Sequence, residues 1–206
     1  SPYRAAGYPL GADLISGLYF WPKHILFYIF PFLNTFNYWL ILRLLIAGFG
    51  TFLFLQRLAL SRQAALIGAI AYMLSGHMIV NLASWWQNVV MVLPYVLWSF
   101  ENYFQTLQKK YIGLSAIFLS LLVLGGQPQT TVIDGLLIGA YTVYRLFITE
   151  NWRRLWRTYL GFFILTSFLA LVIALPMIID FSISFFNGIS FHHYDPQIFK
   201  HFSLAQ

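Results

Sequence analysis

The sequence predicts an all-α, polytopic bundle of about six transmembrane helices with an interfacial helix and outer loops, and three observations carry that prediction. Of 206 residues, 60% are hydrophobic and only 9% charged, whereas a soluble domain averages about 25% charged residues. Such a chain lacks the polar surface to face water all round. The apolar residues also fall in long runs rather than the short alternating ones of half-buried strands. Finally, the basic residues, 12 Lys and Arg against 6 Asp and Glu for a net charge of +6, are scattered between those runs. A basic chain can point to nucleic acid, but no basic stripe forms here, so membrane topology explains the charge better and no nucleic-acid partner is expected. The absence of cysteine excludes disulfides, thiolate zinc sites and thiol nucleophiles.

The chain opens on Ser1 without a signal-peptide pattern, and its first residues read as a polar and aromatic loop; it is expected to be a piece of a longer protein. Trp21 to Phe32, with Pro22, Lys23, His24 and Pro31, is too short to span and suits a helix lying in the interface. Spans, which need about 20 mainly apolar residues to cross about 30 Å of hydrocarbon, are expected at about 35–56, 63–81, 87–104, 111–125, 129–149 and 158–180. The third is the most polar, carrying Pro94, Ser99, Glu101 and Asn102. Arg57 and Arg62, Lys109 and Lys110, and Arg145, Arg153, Arg154 and Arg157 fall on alternate loops, which the positive-inside rule makes cytoplasmic. Residues 1–34 then form an outer loop with the interfacial helix, 35–180 the bundle, and 181–206 an outer segment. Small residues at Ala64, Gly68, Ala71 and Ser75, with Ala65 and Ala69 alongside, and again at Gly135 and Gly139, have the spacing that lets helices approach closely.

Ionisable residues inside spans are costly and normally face a bundle interior or a wet cavity. Arg43 is followed on one helical face by Ala47, Gly50 and Thr51, so it points at neighbouring helices, either as a structural residue or as an anion-binding one. Asp134 lies below Thr130 and Thr131 on the same face, in the same outer half of the bundle, where pairing with Arg43 is possible. His77 sits near the outer end of the second span and Asp180 closes the sixth. In Gly125-Gly126-Gln127-Pro128-Gln129-Thr130 the glycines end one helix and Pro128 begins the next, leaving free N–H groups that either cradle an anion or simply make a turn. Trp85-Trp86-Gln87 offers aromatic faces on an outer loop. His192, His193 and Asp195 match no strong zinc pattern, no metal site is assigned, and no cofactor is legible.

Six strings, in order, carry a resemblance: Pro2-Tyr3-Arg4-Ala5-Ala6-Gly7-Tyr8-Pro9-Leu10, Ser16-Gly17-Leu18-Tyr19-Phe20-Trp21-Pro22, Ala47-Gly48-Phe49-Gly50, Leu60-Ser61-Arg62-Gln63-Ala64-Ala65, Tyr72-Met73-Leu74-Ser75-Gly76, and Leu124-Gly125-Gly126-Gln127-Pro128-Gln129-Thr130. Together they resemble the N-terminal half of the bacterial YfhO-like integral membrane proteins, over most of residues 1–150. The resemblance implies a GT-C-like fold and a glycosyltransferase of the bacterial cytoplasmic membrane, which moves sugar from a polyprenyl-phosphate donor to a cell-envelope glycopolymer at the outer face. Where that family often has Gly-His-Pro-Gln, this chain has Gln127 in place of His. The class usually carries its catalytic carboxylate in the first outer loop, which here leaves Asp13 as a stand-in, with Asp134 as the other candidate acid or base. Arg43, Gln127, Gln129 and Thr130 are the expected donor-phosphate ligands, with His77 and Trp86 lining the cavity. A lipid-linked-substrate transporter or flippase is the competing expectation, and a noncatalytic membrane scaffold the third.

Overall fold

The computed structural model describes residues 17–30, 32–84, 86–149 and 152–186. These form eight helices and no strand: α1 (Trp21–Ile29), α2 (Phe32–Arg57), α3 (Arg62–Met73), α4 (Gly76–Val80), α5 (Gln87–Thr106), α6 (Lys110–Val123), α7 (Pro128–Ile148) and α8 (Trp152–Phe186). Local chemistry accounts for their ends. Pro22 opens α1 and Pro128 opens α7, where a missing N–H costs nothing. Ser61 caps α3 by accepting from the Ala64 amide. α2 closes in a Schellman arrangement, the Leu60 and Ala59 amides donating back to Leu55 and Gln56 while Ala59 takes a positive φ of 63°; glycine is the usual residue there.

Four segments are long and apolar enough to cross a membrane: Thr35–Arg57, Arg62–Val80, Pro128–Ile148 and Arg153–Ile183. Their outward surfaces are hydrocarbon, with Ile41, Leu136 and Phe168 all more than half exposed, so the solvent they suit is a bilayer rather than water. The expected third and fourth spans differ. α6 has 14 residues, about 21 Å at 1.5 Å per residue. α5 is longer but polar, and it is walled in by α2, α6 and α7. Its Ser99, Glu101 and Asn102 are buried and satisfied by neighbours: the Ser115 hydroxyl donates to Ser99 at 2.9 Å, and the Asn102 amide donates to the Trp98 carbonyl at 2.7 Å. The second expected span is broken at Leu74–Ser75 into α3 and α4, and α8, at 35 residues, outruns its expected bounds at both ends.

The small residues divide by what they meet. On α3 Ala65 and Ala69 are buried and Gly68 lies against Leu55 of α2, where a Cβ would stand 2.4 Å from it, whereas Ala64 and Ala71 are exposed, so the close-approach face keeps Gly68 of the expected stripe and takes Ala65 and Ala69 from beside it. Gly48 sits under Met73 and Gly50 under the Tyr95 ring, which lets α3 and α5 close on α2. Gly135 and Gly139 have no such neighbour: they border two apolar grooves beside α8, of about 320 and 200 Å³, that share Phe163. A Cβ at Gly50 would stand 2.5 Å from the Tyr95 ring, whose hydroxyl donates to the Ile46 carbonyl at 2.8 Å. Gly50→Ala is therefore expected to destabilise the bundle by about 1–3 kcal/mol through overpacking, with Gly135→Ala neutral, in detergent unfolding measurements.

Candidate functional site

Cross-helix hydrogen bonds gather at the two ends of the bundle. At one end, Gln105 donates to the Arg57 carbonyl at 2.9 Å and to Glu101 at 2.6 Å. Glu101 is buried; it also accepts from the Tyr141 hydroxyl at 2.6 Å and pairs with the Arg145 guanidinium at 2.8 Å. Glu101 is thus met by one cation and two neutral donors, which makes it a structural clamp, while the Nε atoms of Arg57 and Arg145 there are buried without partners.

The opposite end is different. Arg43 projects from α2 with its side chain 4% exposed, on the same buried face as Ala47, Gly50 and Thr51. Its Nη1 donates to the Leu82 and Ser84 carbonyls at 2.9 and 2.8 Å, tying α2 to the loop before α5, and its guanidinium lies 5.5 Å from the Trp39 ring. Its Nε is buried without a partner, as are Trp39 Nε1, Gln87 Oε1 and Asn88 Oδ1. Lys23 reaches in from α1. Its Nζ would lie 3.7 Å from a side chain at Gly17, and Asn88 Nδ2 would lie 3.5 Å from that same point; Gly17 takes a positive φ of 57° and leaves the space open.

No acid balances the two cations: among the described residues, neither Lys23 nor Arg43 is ion-paired with a carboxylate. Burial, and then the charge of Arg43, lower the Lys23 ammonium below the ordinary lysine pKa. Two like charges held in a half-dry recess raise each other's energy, and an anion between them removes that cost.

A second polar contact lies close by. Tyr19, in the Gly17–Phe20 turn that leads into α1, donates its hydroxyl to Asp180 of α8. That hydrogen bond, with burial and the Asp180 charge behind it, pushes the Tyr19 phenol up to about 12. The turn thus links α8 to the cation recess.

The expected site residues scatter around this recess. Asp134 is buried on α7 in a stripe with Ile138 and Thr142. It makes no pair with Arg43, and one carboxylate oxygen is buried without a partner. The His77 side chain is exposed, and what the site uses is its carbonyl, which accepts from Gln87 Nε2 at 2.8 Å. Trp86 is half-buried immediately before α5. The side chains of Gln127 and Gln129 hydrogen-bond each other at 2.6 Å at the start of α7. Thr130 is half-buried beside them. The glycine string nevertheless serves the recess through Gly125, whose carbonyl accepts from Asn88 Nδ2 at 3.3 Å and whose Cα packs on Val89 too closely for a side chain. Asp13, His192, His193 and Asp195 lie outside the described residues. Lys23, Trp39, Gln87 and Asn88 had no functional signal in the sequence, being an interfacial lysine, a belt-like tryptophan and two amides at a loop edge.

Comparison with protein-family models, with curated proteins and with solved structures finds no match to this chain.

Proposed function

We propose that the chain is part of a GT-C-type glycosyltransferase that takes sugar from a polyprenyl-phosphate donor at the outer face of the bacterial cytoplasmic membrane and passes it to a cell-envelope acceptor. The observation that supports this reading best is the pair of cations Arg43 and Lys23, neither ion-paired with a carboxylate among the described residues, at one end of the helix bundle where a lipid phosphate would lie. The resemblance to YfhO-like proteins supplies the reaction class. Six crossings belong to the proposal: α5 and α6 cross in the shelter of α2, α7 and α8, and the basic residues from Arg57 to Arg157 mark the cytoplasmic side.

In the proposed reaction the acceptor hydroxyl attacks the anomeric carbon and the bond from that carbon to the phosphate oxygen breaks, its electron pair leaving on the polyprenyl phosphate. Arg43 and Lys23 stabilise the second negative charge that develops on the departing phosphate, and the hydroxyl proton passes to a carboxylate, Asp13 or Asp134. The competing reading, a transporter of the same lipid, draws on the orphaned oxygen of Asp134 inside a spanning helix. Liposomes holding the full-length protein and a polyprenyl-phosphate sugar separate the two. Sugar transfer to an added acceptor is the expected result, whereas movement of the lipid between leaflets without transfer supports the transporter.

A further inference from the structure

The recess holds unmet acceptors as well as unmet donors, and the acceptors carry information that the cations do not. Gln87 and Asn88 are both 0% exposed. Side-chain amides are ordinarily ambiguous between their oxygen and nitrogen ends, but here the hydrogen-bond partners decide the matter. Gln87 faces the His77 carbonyl and Asn88 faces the Gly125 carbonyl; a carbonyl only accepts, so in each case the nitrogen must point toward it. The atoms left over are therefore the two oxygens, Gln87 Oε1 and Asn88 Oδ1, each buried with no partner. Leaving a buried acceptor unmet is destabilising, and a fully ionised anion has no hydrogen to offer it.

Asn88 and Lys23 approach the same vacant point beside Gly17. Gln87 directly follows the loop whose Leu82 and Ser84 carbonyls hold Arg43. Asn88 thus stands beside Lys23 and Gln87 beside the loop that holds Arg43, with the Trp39 N–H of α2 as a further unmet donor.

We infer that Gln87 Oε1 and Asn88 Oδ1 accept hydrogen bonds from hydroxyl groups of the ligand, and that the recess recognises a phosphodiester lipid bearing hydroxyls next to its phosphate. The inference rests on the anion reading of Arg43 and Lys23 and adds the headgroup to it. A glycosyl phosphate on an isoprenyl chain has this chemistry, and so does the glycerol headgroup of phosphatidylglycerol.

The test measures binding of three lipids of equal charge to the purified full-length protein in detergent: the methyl phosphodiester of an isoprenol, which has no hydroxyl, the glucosyl phosphodiester of the same isoprenol, and phosphatidylglycerol. The glucosyl ester is expected to bind roughly tenfold or more tightly than the methyl ester, as two neutral hydrogen bonds allow. Gln87→Met and Asn88→Leu each cost the glucosyl ester more affinity than the methyl ester, so that the preference narrows, and Lys23→Gln weakens both ligands alike.

Equal affinity of the wild-type protein for the two isoprenyl ligands overturns the hydroxyl inference and leaves the anion site standing, a comparison that needs no variant to fold. A preference that survives in both amide variants overturns the assignment to these two residues. Absence of binding to all three lipids removes the anion site itself. Tighter binding of phosphatidylglycerol than of the glucosyl ester supports hydroxyl recognition and assigns the recess to a bulk membrane lipid, which overturns the donor role.

Discussion

Arg43→Gln lowers affinity for an isoprenyl-phosphate ligand by about 10- to 150-fold, the loss expected when a charge-assisted contact worth about 1.5–3 kcal/mol is removed. Gln keeps an N–H₂ able to donate toward the Leu82 and Ser84 carbonyls that Arg43 now holds, so the protein still inserts and purifies. Ligand titration beside a thermal melt separates loss of the site from loss of the fold, and unchanged affinity leaves Arg43 as an anchor for the loop alone. The companion cation gives the same experiment a pH axis. An anion binds the protonated ammonium, so affinity is full below the Lys23 pKa and falls as pH rises through it. Because burial and Arg43 depress that pKa, the fall begins below the usual lysine range, and bound anion shifts it upward. Lys23→Arg removes this alkaline limb, since a guanidinium stays charged there. A limb that persists in the arginine variant assigns the titration to another group.

Glu101→Leu has the largest expected effect on stability, about 3–5 kcal/mol, because it strands a partly buried charge. The carboxylate is the hub of its end of the bundle: Arg145, Tyr141 and Gln105 all converge on it, and its side chain is 1% exposed against 22% for Arg145. Removing Arg145 as well, in a Glu101→Leu/Arg145→Leu variant, recovers much of the loss, since a matched apolar pair replaces a buried ion pair at little cost. Denaturant unfolding in detergent reads both variants. If the double variant is as unstable as the single one, the acid acts through the tyrosine and glutamine rather than through the arginine.

Where long apolar runs coincide with single helices, the sequence was readable. α2 and α7 fall close to their expected bounds, and the burial of Arg43 with Ala47, Gly50 and Thr51 follows from their shared helical face. Reading failed where a residue's neighbour decides its role. Ala64 and Ala65 carry the same side chain, and only the way α3 sits on α2 makes the second the packing residue. Gly135 has the same spacing signature as a packing glycine yet faces a groove, because α7 stands away from its flanking helices. In the site, Arg43 was legible since an ionisable residue in a span has few alternatives. Lys23, Gln87 and Asn88 are ordinary at helix ends, and their significance comes from convergence of α1, α2, the α4–α5 loop and the end of α6, a tertiary fact with no local signature. The link between Arg43 and Asp134 failed for the same reason: both lie in one half of the bundle, but their helices present them to different neighbours.

The position of Glu101 also constrains how the protein is made. Its hydrogen-bond donor Tyr141 lies 40 residues further along the chain, which at about 5–20 residues per second is roughly 2–8 s of further synthesis. During that interval the only hydrogen-bond donor to this acid among the described residues is Gln105 of its own helix. Val89, Val92, Val96 and Phe100 give α5 an apolar face, but two of the helices that shelter its acid, α6 and α7, have yet to emerge from the ribosome. The pairing of Glu101 is thus completed only when α7 arrives with Tyr141 and Arg145. A chain truncated before residue 141 keeps α5 but leaves its acid without the counter-ion.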